Sequence, residues 1–214
     1  TIGSGGILWV GDNGGLGGSA GDILLRGGEL RIDVPDGGFG GMLDTQYMFR
    51  GLNIAGGTGT IRTSTLDGGG FNSVQIGNLT FDASRILQVF SIGTNFTDLI
   101  ANNIVFPNAA ATIDLTIGGD NSFQTGAGGL TVNGVIDDMP TGLQTLRKNN
   151  GGALVLTNSN TYDGGTIVTQ GRLVLANVGA AGATGSTISL TTNNDRRSDL
   201  EFRIDGAGPF LFDN

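Results

Sequence analysis

The chain has 214 residues, 41 of them glycine, 4 proline, and none cysteine or histidine; 19 acidic residues against 11 basic ones give a net charge of −8. This composition excludes a disulfide framework and thiolate chemistry. It also excludes a phosphate-binding surface, which needs clustered Lys and Arg, and no apolar run reaches the ~18 residues of a membrane helix. Glycine in such excess without a Gly-X-Y period, beside 38% hydrophobic residues, argues for a folded chain with many tight turns rather than collagen or a disordered linker.

Short apolar runs predict strands in chain order at Ile7–Val10, Ile23–Val34, Gly59–Thr63, Val74–Phe81, Ile86–Ile92 and Asn102–Phe106. Further strands are predicted at Thr112–Ile117, Leu130–Ile136, Ala153–Thr157, Arg172–Asn177, Thr187–Thr192 and Leu200–Ile204. In Thr112–Ile117, Ile113, Leu115 and Ile117 alternate with Asp114 and Thr116, so one face is apolar. Gly41–Leu52 has a faint helical flavour and reads as a loop interrupting the pattern. Two-residue Asn-Gly hairpins between matched strands are nearly absent; Asn133–Gly134 comes closest and fits a bulge equally well. Strands this short, with ubiquitous turns and no helical crossovers, predict an all-β chain coiled as a solenoid of about ten coils.

The chain also resembles itself. Ile2 set on Val168 brings Gly5 onto Gly171 and Ile7 onto Leu173; further on, Ile23 falls on Ile188, and both segments reach Arg-Ile-Asp. The expected organisation is one β-helix segment over residues 1–214, a piece of a longer solenoid, with motif copies at about 1–34 and 146–205.

The stretch "LRKNNGGALVLTNSNTYDGGTIVTQGRLVLANVGAAGATGSTISL" resembles the autotransporter-associated β-strand repeat. Leu154 and Leu156 match its first strand. Asn160, Thr161, Tyr162, Gly164, Gly165 and Thr166 match its Asn-Thr-Tyr-x-Gly-Gly-Thr turn, and Val168, Gly171, Leu173 and Leu175 match its second strand. The likeness covers about a fifth of the chain. Asn149–Asn150 depart from it, standing where the family tends to have Gly-x-Gly. The resemblance implies a right-handed parallel β-helix, secreted or displayed on a bacterial cell surface, and a structural rather than catalytic role.

Candidate chemistry is thin. The chain has two glutamates, Glu29 and Glu201, and one adjacent aspartate pair, Asp137–Asp138. Glycoside hydrolysis needs two carboxylates at a working separation, and the pair before Met139–Pro140 reads as a solvated loop. Lys148, the one lysine, lies beside Arg147 in the repeat motif, where a coil-edge role is expected. Gly11–Gly15 and Gly118–Ser122 offer oxygen ligands that suit calcium, but plain turns are the expected reading. Trp9 replaces the Leu175 of the matching repeat position and is expected in the core, whereas Tyr162 could stack on an adjacent coil or face outward.

The expectation is therefore a non-enzymatic rod with no catalytic residues, no metal and no cofactor, secreted or extracellular. Its partners would be itself, end to end or through further repeats, and surface polysaccharide; nucleic acid and membrane insertion are not expected. A carbohydrate-active or carbohydrate-binding β-helix is the alternative.

Overall fold

The computed structural model describes residues 1–10, 21–34, 45–48, 51–65, 72–92, 97–107, 109–118, 129–137, 143–191 and 197–204. The chain climbs in rungs, each crossing up to three sheets in turn. Rung 1 holds β1 (Ile2–Gly3) and β2 (Ile7–Val10), and rung 2 holds β3 (Ile23–Arg26), β4 (Glu29–Val34) and β5 (Thr45–Met48). Rung 3 is β6 (Leu52–Ile54), β7 (Thr58–Thr65) and β8 (Asn72–Ile76); rung 4 is β9 (Leu79–Phe81), β10 (Arg85–Ile92) and β11 (Thr97–Ala101). Rung 5 is β12 (Ile104–Val105), β13 (Ala111–Ile117) and β14 (Gly129–Val132); rung 6 is β15 (Ile136–Asp137), β16 (Gln144–Asn149) and β17 (Ala153–Leu156). Rung 7 carries β18 (Thr166–Val168) and β19 (Gly171–Leu175), and rung 8 carries β20 (Ile188–Leu190) and β21 (Ser198–Phe202).

Like strands stack on like. The first sheet runs β1-β3-β6-β9-β12-β15, the second β2-β4-β7-β10-β13-β16-β18-β20, and the third β5-β8-β11-β14-β17-β19-β21. Neighbouring named strands in all three pair in parallel. The architecture is a parallel β-helix, all-β as expected.

The core is built from columns. In the third sheet, register stacks Val74, Leu99, Leu130, Leu154, Leu173 and Leu200 in one file, and Ile76, Ala101, Val132, Leu156, Leu175 and Phe202 in the next. Rungs lie about 4.8 Å apart, so each inward side chain touches its equivalents above and below. Leu154 is fully buried and Leu156 is 1% exposed. Burying each such side chain contributes roughly 1.5–3 kcal/mol, and only stacked neighbours can supply that cover.

Four expectations need correction. The second sheet has eight rungs among the described residues, not ten. Residues 45–48 of the expected Gly41–Leu52 loop form β5, which pairs with β8. Three long strand candidates each divide at a corner: Ile23–Val34 at Gly27–Gly28, Val74–Phe81 at Gly77–Asn78, and Leu130–Ile136 at residues 133–135. Trp9 is 64% exposed, because Val10 and its partner Ile32 take the inward phase. Alternation along a strand therefore points Trp9 outward.

Candidate functional site

The repeat motif occupies rungs 6 to 8, and the structure gives most of its residues an interior task. Leu154, Leu156, Val168, Leu173 and Leu175 all face the core with exposures of 1% or less. Leu154 pairs with Leu173 and Leu156 with Leu175, so the two motif strands stack directly in the third sheet. Val168 belongs to the second sheet, on the other side of the corner at Gly171.

The Asn-Thr-Tyr turn takes the place of a first-sheet strand on rung 7. The Asn160 side chain is 5% exposed; its Oδ1 accepts the Ile136 N–H at 2.8 Å below, and its Nδ2 donates to the Ala180 carbonyl at 2.7 Å above. One amide thus ties three rungs together, satisfying backbone groups that have no ladder partner here. Thr161 is exposed, and its hydroxyl donates to Asp137 Oδ1 at 2.9 Å. Tyr162 points inward: it is fully buried, its ring lies 6.3 Å from that of Phe106, and its hydroxyl meets Thr166 Oγ1 at 2.5 Å. Burial pushes the Tyr162 phenol up to about 12, against a smaller opposing effect of the Thr166 hydrogen bond. Gly165 takes a φ of +80° against Thr187 on the next rung, and a Cβ on Gly164 would lie 2.6 Å from the Gln144 carbonyl.

Lys148 departs from the coil-edge expectation. Register places it in the inward column Leu87, Leu115, Lys148, Val168 and Leu190, and it has no exposed surface. Its Nζ donates to the carbonyls of Asn149 (3.0 Å), Asn150 and Gln170 (2.8 Å). Three acceptors match the three N–H bonds of an ammonium, while burial pulls its pKa down to about 7. Asn150 holds a φ of 65°, which asparagine tolerates better than most residues; this accounts for its standing where the repeat family tends to have glycine. At Gly171, φ is +78° and a Cβ would lie 2.7 Å from Lys148 Nζ. Corner, cradle and glycine form one unit.

The matching glycine of the self-resemblance, Gly5, has a φ of +74°, nearly the same. It turns the chain from the first sheet to the second, however, whereas Gly171 turns it from the second to the third. The shared Arg-Ile-Asp endings also carry one electrostatic arrangement. Glu29 bonds Arg31 on its own strand (2.9 Å) and Arg62 on the next rung (3.1 Å). Glu201 bonds Arg203 and, on the neighbouring rung, Arg172 (3.2 Å). The hydrogen bond from Arg203 holds the Glu201 carboxyl below its ordinary range.

Among the described residues, the two glutamates do not form a hydrolytic pair. Glu29 lies on rung 2 and Glu201 on rung 8, so six rungs, about 29 Å, separate them, far beyond the roughly 5–9.5 Å that glycoside hydrolysis uses. Asp137 is exposed and accepts from Thr161; Asp138 lies outside the described residues. Gly11–Gly15 lie outside them as well, as do residues 119–122 of the second candidate calcium turn. Among the described residues, no group of three or more acidic side chains is placed to hold a metal.

The outward face of the second sheet gathers aromatic and charged side chains. Trp9, Arg31, Arg62 and Phe90 stand in register on rungs 1 to 4. The Arg62 guanidinium lies 5.0 Å over the Phe90 ring, and the Trp9 indole N–H is held by Asp33. Ile7, 60% exposed, pairs with Glu29 in the next file. Toward the first-sheet corner, Thr58, Ser84, Arg85, Asp114 and Arg147 line a shallow open depression. Sequence reasoning missed this face because the unbroken apolar run Ile7–Val10 hides its own phase.

Residues 146–175 match the passenger-associated-transport-repeat family. Over 134 residues the chain is 36% identical to the adhesin BmaC autotransporter of Brucella suis biovar 1 (strain 1330), an alignment covering 59% of this chain and 4% of that protein. No solved structure matches significantly. The passenger-associated transport repeat matched by residues 146–175 is thus set in a parallel β-helix.

Proposed function

We propose that this chain is a stretch of a bacterial surface passenger of adhesin type, secreted to the extracellular side, where it acts as a rigid, non-catalytic rod. The observation that carries the reading is the unbroken run of in-register apolar columns from rung to rung. A solenoid of this kind is quasi-one-dimensional and grows in length without needing a new core. The similarity to an autotransporter adhesin supports surface display, and the wide separation of the two glutamates supports a non-catalytic role. The passenger repeat spans the same rungs that hold Lys148 and Asn160, so its spacing serves assembly of the coil.

The same columns suggest what covers the top rung. Leu190 and Phe202 continue the inward files of Val168 and Leu175, yet they are 46% and 47% exposed. Another copy stacked on this last described rung is the natural cover, since an exposed apolar end with an open strand edge favours association. Light scattering of the 214-residue chain is expected to show concentration-dependent association, and a monodisperse monomer would count against it.

Cell display is checked by protease treatment of intact bacteria expressing the parent protein, with electron microscopy of the purified material. Straight rods and loss of the segment from intact cells are expected. A compact particle, protection of the segment on intact cells, or turnover in a polysaccharide-degradation screen would contradict the corresponding part of the reading.

A further inference from the structure

We propose that the open depression on the outer face of the second sheet, where rungs 3 to 6 meet the first-sheet corner, binds a neutral saccharide through two adjacent ring hydroxyls, one on Asp114 and one on Arg147. This goes beyond the surface-rod reading and does not depend on it.

Register builds the floor of the depression as one outward file, with Thr58, Ile86, Asp114 and Arg147 on successive rungs. Three steps of about 4.8 Å make the file about 14 Å long. The depression has a volume of about 520 Å³, within the range of small-ligand sites. Ser84, Arg85 and Thr112 wall it on the corner side. Arg85 is fixed there by Asp82 (2.7 Å) and by the Ser84 carbonyl (3.3 Å). Ile86 is 40% exposed between two polar neighbours of the file, and it gives the C–H face of a pyranose an apolar surface to cover. The Asp114 carboxylate is set by Asn149, whose Nδ2 donates to Oδ1 at 2.6 Å and whose own Oδ1 is held by the Thr169 hydroxyl. Asp114 Oδ2 faces Arg147 Nη1 at 3.5 Å, too long for a good hydrogen bond.

That gap is the recognition element. Asp114 keeps acceptor capacity at Oδ2, and the Arg147 guanidinium makes no other polar contact among the described residues. One hydroxyl of a vicinal pair donates to the carboxylate while its neighbour accepts from the guanidinium. Because Asn149 already orients the carboxylate, little ordering is left to the binding step. The same carboxylate selects against phosphate, sulfate or uronate, since an anion seated on Arg147 would lie against Asp114. A neutral sugar meets no such repulsion.

The isotope-labelled 214-residue chain is titrated in the magnetic-resonance spectrometer with gluco-, manno- and galacto-oligosaccharides, and separately with an oligogalacturonate. At least one neutral oligosaccharide is expected to shift amide signals saturably at residues 57–58, 84–86, 112–114 and 147, with affinity unchanged from about 0.05 to about 0.5 M salt. Asp114→Asn and Arg147→Gln are each expected to lose at least about tenfold in affinity, whereas Arg172→Gln, on the third sheet, leaves it unchanged. Among monodeoxy analogues of the bound sugar, two that lack adjacent hydroxyls should lose a similar factor, which reads the contact without altering the protein. The proposal is overturned by no saturable shift with any of the three neutral oligosaccharides, by shifts centred elsewhere, or by full affinity in Asp114→Asn. It is also overturned by a response to the galacturonate alone that salt abolishes, or by ligand-free shifts at these residues that grow with protein concentration, which would mark the depression as a contact between copies.

Discussion

The Lys148 ammonium lies 2.8 Å from the Gln170 carbonyl of the next rung, inside a column that register otherwise fills with Leu87, Leu115, Val168 and Leu190. Its folded pKa of about 7 lies below the ~10.4 of an unfolded lysine. Between those values the unfolded chain binds more protons, so stability rises with pH through this window. Lys148→Met removes the titration. Denaturant unfolding between pH 7 and 10 is expected to show the wild type gaining on the Met variant by up to about 1.4 kcal/mol per pH unit, whereas parallel curves would show that the three carbonyls hold the ammonium through the range.

Tyr162 and Thr166 supply a second titration of opposite sign. The phenol, raised to about 12, stays protonated in the fold while an unfolded tyrosine ionises near ~10. The contribution is present below pH ~10 and lost as pH rises toward 12. Tyr162→Phe leaves the buried Thr166 hydroxyl without this partner, at a cost of about 1–3 kcal/mol. It should also flatten the alkaline limb of the melting curve; an unchanged limb would remove Tyr162 from the interior.

Asn160 joins Ile136 to Ala180 through a single amide. Asn160→Ala is expected to destabilise by about 2–4 kcal/mol, since two buried backbone groups lose their partners. Asn158→Ala, on an exposed neighbour, should change stability by less than about 0.5 kcal/mol. Equal effects in chemical denaturation would mean the amide bridge contributes nothing.

Leu156 sits between Val132 and Leu175. Leu156→Ala is expected to cost about 2–5 kcal/mol, and Leu156→Asp more, because a carboxylate there has no buried partner. Because adjacent rungs share the column, the loss should appear in circular dichroism as a lower midpoint for the whole transition. An unmoved midpoint would place Leu156 outside the core.

What the sequence made legible follows from what periodicity can carry. Clean alternation in Thr112–Ile117 and in Leu154–Leu156 identified strands and their inward sides directly. It did not show corners, because apolar spacing runs straight through Gly27–Gly28 while the backbone turns from one sheet to the next. β16 was missed because two of its three inward positions are polar, Gln144 and Lys148, whose nitrogens donate to backbone carbonyls visible only in three dimensions. The motif residues Asn160 and Tyr162 were recognisable by pattern, but Asn160's three-rung bridge and Tyr162's inward turn depend on chain 20 or more residues away in sequence. Trp9 was misplaced for want of phase: four consecutive apolar residues fit either face.

The stacked register is tested most directly by distance. The chain has no cysteine, so nitroxides can be placed at will. Ile7, Glu29, Thr60, Gln88, Thr116 and Asn149 form one outward file. Electron–electron resonance between labels at Ile7→Cys and Thr116→Cys should give a narrow distribution near 19 Å, four rungs at about 4.8 Å each. Moving the second label to Asn149→Cys should lengthen it by one further rung. Distances that fail to grow rung by rung, as antiparallel hairpins folded into a sandwich or barrel would give, would contradict the β-helix itself.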